Sequence, residues 1–210
     1  MAIERTGTAV VIKSWDGTED QSITVPTDCT LAVVSVVDAF AAGTVSINSV
    51  NATFDVGTAD NWLRVYHLAN PSTGSQTCAL SGFSPQTGLV AIIAFYKGVD
   101  TSSPVRDSDF DGDDASPGTA TTPSMTSETG DMAVAGCGGY GGALTLTNGG
   151  QTSVATDNLS STYAGMAELV ASGSTITMTA SGPYPVIAAI VLKPAAGGAS
   201  STPIYHIMNQ

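Results

Sequence analysis

The sequence predicts an all-β protein, a two-sheet antiparallel β-sandwich. Short runs rich in Val, Ile, Thr and aromatic residues recur about every 8 to 15 residues, separated by Gly, Pro, Asn, Asp or Ser. Charged residues make up only 11% of the chain and glycines number 23, which also favours strands and turns. No apolar period of 3.6 residues persists over three helical turns, so we expect almost no helix.

We predict about a dozen strands from these runs. They include residues 8–14, 21–25, 30–37, 44–50, 62–68, 75–80, 89–96, 131–136, 165–170, 174–179 and 186–192.

Two of the predicted strands are apolar on both faces. In residues 31–37 and 90–95 the apolar residues do not alternate with polar ones, so the face turned away from the partner sheet also needs a cover. Loops or a neighbouring subunit could supply it, and the second option is a first indication of assembly. A weak repeat, SGFSP at 81–85 and SGPYP at 181–185, leads each time into an apolar strand and suits the two halves of a sandwich.

The length of 210 residues suits one domain with a tail. We predict a sandwich domain over residues 1–194. Residues 195–201, AAGGASS, have the composition of a linker, and the apolar residues after them are suited to docking. Residues 195–210 are therefore predicted to form a linker and an extended C-terminal docking tail.

The charge disfavours several classes of partner. The formal net charge is -12, with 18 acidic residues, six basic ones and no Lys/Arg cluster, so we expect no binding to nucleic acid and none to anionic membranes. The longest apolar runs are too short to span a bilayer. Residues 1–10 hold no continuous apolar stretch, so we expect synthesis without Sec export.

An acidic run, DSDFDGDD at residues 107–114, is the strongest metal-binding pattern in the chain. Its D-x-D-x-D-G spacing can direct several carboxylates to one point around a turn, and Ca²⁺ prefers such oxygen ligands. The bidentate Glu that an EF-hand loop carries at its twelfth position is replaced by Gly118. A solvated acidic loop is the alternative. The candidate calcium ligands are Asp107, Asp109, Asp111 and Asp113, and no other cofactor is expected.

Other motifs favour ordinary structural explanations. Residues 136–141, GCGGYG, satisfy G-x-G-x-x-G, but no helix follows them to hold a pyrophosphate, so we interpret them as a flexible or tightly turning glycine loop. His67 and His206 are far apart in sequence and are interpreted as packed or surface residues. Cys29, Cys78 and Cys137 are expected to be buried, reduced thiols.

Aromatic residues raise a second functional hypothesis. Sugar rings stack on exposed aromatic side chains, although packing in the core explains the same residues. The candidates for such a platform are Trp15, Trp62, Tyr66, Tyr96, Tyr140 and Tyr163.

The order of several short motifs resembles a jelly-roll sandwich module of tailed-phage virion proteins and secreted bacterial surface proteins. The resemblance covers about residues 8–194 and rests on strand and turn signatures, without catalytic residues. The motifs are ITVP at 23–26, LAVVSV at 31–36, VYHLANPSTG at 65–74, AFYKGVDTSSPV at 94–105, TGDMAV at 129–134, TITMT at 175–179 and AAIVLKP at 188–194.

The resemblance implies a jelly-roll β-sandwich and a non-enzymatic structural protein of a bacteriophage virion. Such a protein would be a capsid decoration or cement protein, or else a tail or fibre component, that binds other virion proteins and itself. It would be located in the virion and assembled in the host cytoplasm. The alternative is a carbohydrate-binding or adhesion module that recognises a host-surface glycan.

Overall fold

Antiparallel β-strands occupy most of the chain in the computed structural model, which describes residues 1–58, 60, 62–112 and 114–196. The strands of the N-terminal half are β1 (Glu4–Ser14), β2 (Glu19–Val25), β3 (Leu31–Val37), β4 (Thr44–Ile47), β5 (Val50–Asn51), β6 (Thr53–Gly57), β7 (Leu63–Ala69), β8 (Gly74–Ser81) and β9 (Leu89–Lys97).

The C-terminal half repeats this arrangement with a second set of strands. They are β10 (Val105–Gly112), β11 (Gly118–Thr121), β12 (Met125–Thr126), β13 (Met132–Tyr140), β14 (Thr152–Leu159), β15 (Thr162–Val170), β16 (Thr175–Ile176), β17 (Thr179–Gly182) and β18 (Val186–Leu192). The 3₁₀ turn Asn148–Gly150 is the only helical element in the described residues. The all-β prediction and the near absence of helix are confirmed.

Two five-stranded sheets form the centre of the molecule. Inner sheet 1 has the strand order β1-β9-β3-β7-β6, and inner sheet 2 has the order β10-β18-β13-β15-β14. The outer sheet, β2-β8-β4-β5, belongs to the N-terminal half. Two outer ribbons, β11-β17 and β12-β16, take the corresponding place in the C-terminal half.

The strands of each half pair in a nested order. The first strand pairs with the last, β1 with β9 and β10 with β18. Pairs further inside each half follow the same rule, β2 with β8 and β3 with β7, and then β11 with β17 and β13 with β15. The SGFSP and SGPYP segments occupy equivalent places, since each joins an outer strand to the central strand β9 or β18. The repeat detected in the sequence is therefore a repeat of structure.

The main core lies between the two inner sheets. Side chains of alternate positions on β3 and β9, such as Val33 and Ile92, pack with Val134, Met166 and Ile190 from inner sheet 2. Full burial of an aliphatic side chain contributes about 1.5–3 kcal/mol to stability, so this layer joins the halves strongly.

The opposite faces of both inner sheets are also buried, which explains the doubly apolar strands. The outer sheet covers inner sheet 1, where Val34 and Ile93 pack against Val45 and Leu80. Residues of the ribbons and neighbouring loops cover inner sheet 2, where Ala135 and other small residues form a third cluster. The protein thus has more layers than the two sheets predicted, and its own chain supplies the cover for which a neighbouring subunit was one candidate.

A close contact between Ser35 on β3 and Gly136 on β13 lies within the layer between the inner sheets. A Cβ atom at Gly136 would overlap Ser35 Oγ and would lie 2.7 Å from Ser35 Cβ. Ser35 is 1% exposed, and its hydroxyl has no hydrogen-bond partner among the described residues. The two central strands can approach this closely because one residue has no side chain and the other has a small one.

Except for its last residue, Gly141, the glycine-rich segment belongs to strand β13, which corrects its interpretation as a loop. A Cβ at Gly138 would lie 2.8 Å from the indole of Trp62, and one at Gly139 would lie 2.6 Å from Leu144. The glycines therefore make room for neighbouring side chains in the middle of a buried sheet. A strand that continues to Tyr140 offers no helix N-terminus for a phosphate.

Two further corrections concern strands. The prediction places the acidic run at a turn, but most of it forms β10, and the predicted strands do not include β6, β11, β12 or β14. The last strand of the described residues ends at Leu192, two residues before the predicted domain end at residue 194. After it, Ala195 N donates to Gly98 O at 2.8 Å. Residues 197–210, most of the predicted tail, lie outside the described residues.

We expect Gly136→Ala to lower the free energy of unfolding by about 3 kcal/mol, because the new methyl group overlaps Ser35. For a chain of this size the melting temperature should fall by about 5–10 °C. Thermal unfolding followed by circular dichroism measures both quantities.

The matched control is Gly173→Ala, since a Cβ at Gly173 meets no atom within 4 Å. The double variant Ser35→Gly/Gly136→Ala should recover part of the loss. An equal loss for Gly173→Ala, or no recovery in the double variant, would contradict the proposed contact.

Candidate functional site

The acidic residues predicted to bind calcium lie along one strand. Asp107, Asp109 and Asp111 alternate on β10, so successive carboxylates start about 7 Å apart along the strand. Asp113 lies outside the described residues. No cluster of three or more His, Cys, Asp or Glu side chains suited to a metal occurs in the part of the chain that the structure describes. The calcium site stays a prediction, and the strand geometry does not favour it.

Two of these carboxylates accept hydrogen bonds from the backbone of neighbouring strands. Asp107 Oδ2 accepts a hydrogen bond from Thr126 N at 2.6 Å, and Asp111 Oδ2 accepts one from Thr121 N at 2.8 Å. These bonds attach both outer ribbons to the edge of inner sheet 2. The bond from Thr126 lowers the pKa of Asp107 below its ordinary value. Asp109 differs, because among the described residues its Oδ1 accepts from the adjacent Phe110 N, at 2.8 Å, and from neither ribbon.

The histidines and cysteines lie where the sequence interpretation put them, as far as the structure describes them. His67 Nδ1 lies 2.8 Å from Asp55 Oδ1, and both side chains are largely buried. His206 is outside the described residues. All three cysteines are free and buried, and burial raises the pKa of Cys29 to about 11 and that of Cys78 to about 12. The prediction of buried thiols is confirmed.

The six aromatic candidates do not form one platform. Tyr66 and Tyr96 are core residues, and the Tyr96 hydroxyl donates to Glu168 Oε2 at 3.2 Å across the inner sheets. Trp15 is 67% exposed in the turn after β1, and Tyr163 lies on β15 beside a different depression. Of the six, only Trp62 and Tyr140 line a common pocket.

This pocket has a volume of about 240 Å³ and lies at one end of the inner sheets. We call it the end pocket. It forms because antiparallel registers bring strand ends together: Val37 pairs with Leu63 and Val90, and Val186 pairs with Gly138 and Gly112. Its described lining residues are Asp38, Phe40, Asp60, Trp62, Gln86 and Thr87 from the N-terminal half, and Asp114, Tyr140, Tyr184 and Val186 from the C-terminal half.

Asp38 fixes one wall of the end pocket. It is fully buried at the end of β3, and its carboxylate accepts hydrogen bonds from the backbone N–H groups of Gln86, Thr87 and Gly88 at 2.7–3.2 Å. The Thr87 hydroxyl also donates to Asp38 Oδ2, at 3.1 Å. A buried carboxylate with this many donors holds the loop before β9 in one position.

A second set of bonds fixes Trp62. Its carbonyl oxygen accepts from Asp38 N at 2.7 Å, and its own N–H donates to Asp60 Oδ1 at 3.0 Å. The same Asp60 oxygen accepts from the Thr58 hydroxyl at 2.6 Å. The Thr87 hydroxyl lies 2.6 Å from that of Thr162 on β15, which ties this wall to the C-terminal half. The pocket is therefore built by both halves and held by short bonds.

Several lining residues were missed by the sequence interpretation. Asp38 and Phe40 lie between β3 and β4, Asp60 between β6 and β7, and Tyr184 between β17 and β18, so only the fold brings these three connections together. Of these four residues, Tyr184 alone lies in a segment that the sequence marks, because it belongs to the repeated SGPYP segment.

The chain shows no similarity to known proteins in three comparisons: no family model, no curated protein and no solved structure matches it. Across the described residues, no helix is long and apolar enough to cross a membrane.

We expect Asp107→Ala and Asp111→Ala each to lower the free energy of unfolding by about 1–2 kcal/mol, because each leaves a backbone N–H without its acceptor. Asp109→Ala is the matched control and should change it by less than about 0.5 kcal/mol. Chemical denaturation measures these values.

The Asp107→Ala difference should depend on pH. The pKa of Asp107 is lowered in the folded state, so its carboxylate stabilises the fold above the ordinary pKa of about 4 and loses this effect as the pH falls further. The losses of unfolding free energy in Asp107→Ala and Asp111→Ala should be the same with and without added Ca²⁺. A stabilisation of the wild type by Ca²⁺ that all three variants abolish would instead support the calcium site.

Proposed function

We propose that the protein is a non-enzymatic structural subunit of a bacteriophage virion, a capsid decoration or cement protein or else a tail or fibre component. In this proposal each half is a jelly roll. The observation that carries the proposal is the nested pairing of strands in both halves, which is the pairing of a long hairpin rolled into two sheets.

Two of the motifs that resemble the phage module include turn residues whose backbone conformation the fold requires. In LANPSTG between β7 and β8, Asn70 and Gly74 have φ angles of +51° and +84°. In FYKGVD at the end of β9, Gly98 follows the strand with φ +75°, and a side chain there would overlap the Ala2 carbonyl oxygen. These residues support the resemblance because they are needed for this arrangement of strands rather than for chemistry.

The segment between the halves supports a rigid building block. Asp100 N donates to Lys193 O at 2.9 Å, and Lys193 N donates to Pro104 O at 2.8 Å, so the connection from β9 to β10 is fastened to the end of β18. Together with the core between the inner sheets, these bonds suit a subunit that keeps one shape within an assembly.

In this proposal the chain binds other virion proteins and further copies of itself, and it binds neither nucleic acid nor a membrane. The charge distribution supports this choice, since four of the six basic residues already pair with carboxylates in the described chain: Arg5, Lys13, Lys97 and Arg106. Little positive charge is left for phosphate groups. The location that follows is the virion, after assembly in the host cytoplasm.

Antibody labelling of particles tests the proposal directly. Phage particles produced from the genome that encodes the chain should carry a regular pattern of immunogold label, on the head for a decoration protein or on the tail for a tail component. Particles from the same genome with an early stop codon in this gene are the control. Intact wild-type particles without label would overturn the proposal.

A second experiment tests the docking tail. A chain that ends at residue 196 keeps every core residue that the structure describes, so we expect it to fold with an unchanged melting temperature. We expect it to be missing from particles. Incorporation equal to that of the full chain would show that residues 197–210 are not the docking segment.

A further inference from the structure

The end pocket is lined by aromatic side chains that are only partly buried in the core. Tyr140 and Tyr184 are 45% and 48% exposed, and Trp62 and Phe40 are partly exposed beside them. We propose that the end pocket binds a single neutral pyranose ring at the end of a cell-surface glycan. This inference gives the glycan-binding alternative a defined site, on residues that mostly differ from the platform first expected.

The aromatic rings supply the apolar contact. A pyranose has a face of C–H groups that packs on an aromatic ring, while its hydroxyl groups point outward. Exposed tyrosines and a tryptophan suit this role because each combines an apolar ring with a polar atom.

The polar groups of the lining favour neutral hydroxyl groups over charged ligands. The Gln86 amide and the hydroxyls of Tyr140 and Tyr184 can each donate and accept hydrogen bonds. None of the described lining residues is basic, and the chain carries a net charge of -12, so a sialic acid, a uronic acid or a phosphate would be repelled.

The carboxylates of the lining do not specify a cation. Asp38 accepts its hydrogen bonds from Gln86, Thr87 and Gly88, and one oxygen of Asp60 accepts from Thr58 and Trp62. These two carboxylates therefore hold the loops that form the walls of the end pocket. The carboxylates of Asp114 and Asp60 also carry oxygens that can accept hydrogen bonds from sugar hydroxyls.

The size and rigidity of the end pocket fit one ring. Its volume of about 240 Å³ is below the range of about 300–1,000 Å³ that is usual for drug-sized ligands. Both loops of its N-terminal wall are held by Asp38 and Asp60, so a ligand would not need to order them on binding. We expect millimolar affinity for one ring, increased by multivalency when many copies of the protein face a cell.

The two tryptophans of the chain allow a direct assay. Trp15 is 67% exposed and does not line the end pocket, so Trp15→Phe leaves Trp62 as the only tryptophan and as a reporter of this site. Its fluorescence is measured during titration of the full chain with the methyl glycosides of glucose, galactose, mannose, N-acetylglucosamine and rhamnose. We expect at least one of them to change the emission in a saturable way.

Two pocket variants and one control decide whether binding occurs in the end pocket. In the Trp15→Phe background, Tyr140→Ala and Tyr184→Ala should weaken binding about tenfold or more, because each removes a stacking ring. Phe110→Ala removes an aromatic residue that is 39% exposed on β10 and outside the pocket, and it should leave the affinity unchanged. Melting curves establish that all variants are folded.

Three results would overturn the inference. They are the absence of any response to the five glycosides, an unchanged affinity in both tyrosine variants, and, in a parallel titration with choline, a response to choline without a response to sugars. The last result would assign the aromatic rings to an organic cation. None of these results depends on whether the protein is found in virions.

Discussion

The contact between the two inner sheets is the constraint on which the rest of the structure depends. Ser35 and Gly136 allow the central strands to lie close together, and apolar side chains around them fill the layer. Each inner sheet is then covered on its other face by strands of its own half. Two similar halves thus share one core, and neither inner sheet leaves an apolar face exposed.

The end pocket is a consequence of this packing. Strand ends from both halves meet where the inner sheets end, and the loops that leave them carry aromatic and polar side chains to one place. Rigid strands and the buried carboxylate of Asp38 then hold these loops. This is a common arrangement in proteins, in which a stable scaffold presents variable loops for recognition. The proposed virion role needs the rigid scaffold, while the inferred sugar site needs the loops together with strand ends such as Tyr140 of β13.

The sequence predicted those features that depend on neighbouring residues. Apolar β-branched runs predicted most strands, and the repeated SGFSP and SGPYP segments indicated two halves. The errors arose where distant residues decide the structure. Asp107 and Asp111 have the spacing of a metal loop, yet their carboxylates bind the backbone of the distant Thr126 and Thr121. Gly136 looks like part of a flexible loop until Ser35 is placed against it, and no local pattern joins Phe40 to Tyr184.

Native-state hydrogen exchange tests the shared core most directly. Amide protons of β3, β9, β13 and β18 should exchange most slowly, and they should do so together through global unfolding, because these strands border one apolar layer. The same slow class should therefore contain strands of both halves. Exchange of β13 and β18 through a separate opening, with β3 and β9 still protected, would contradict the account, since it would show that the two halves unfold independently.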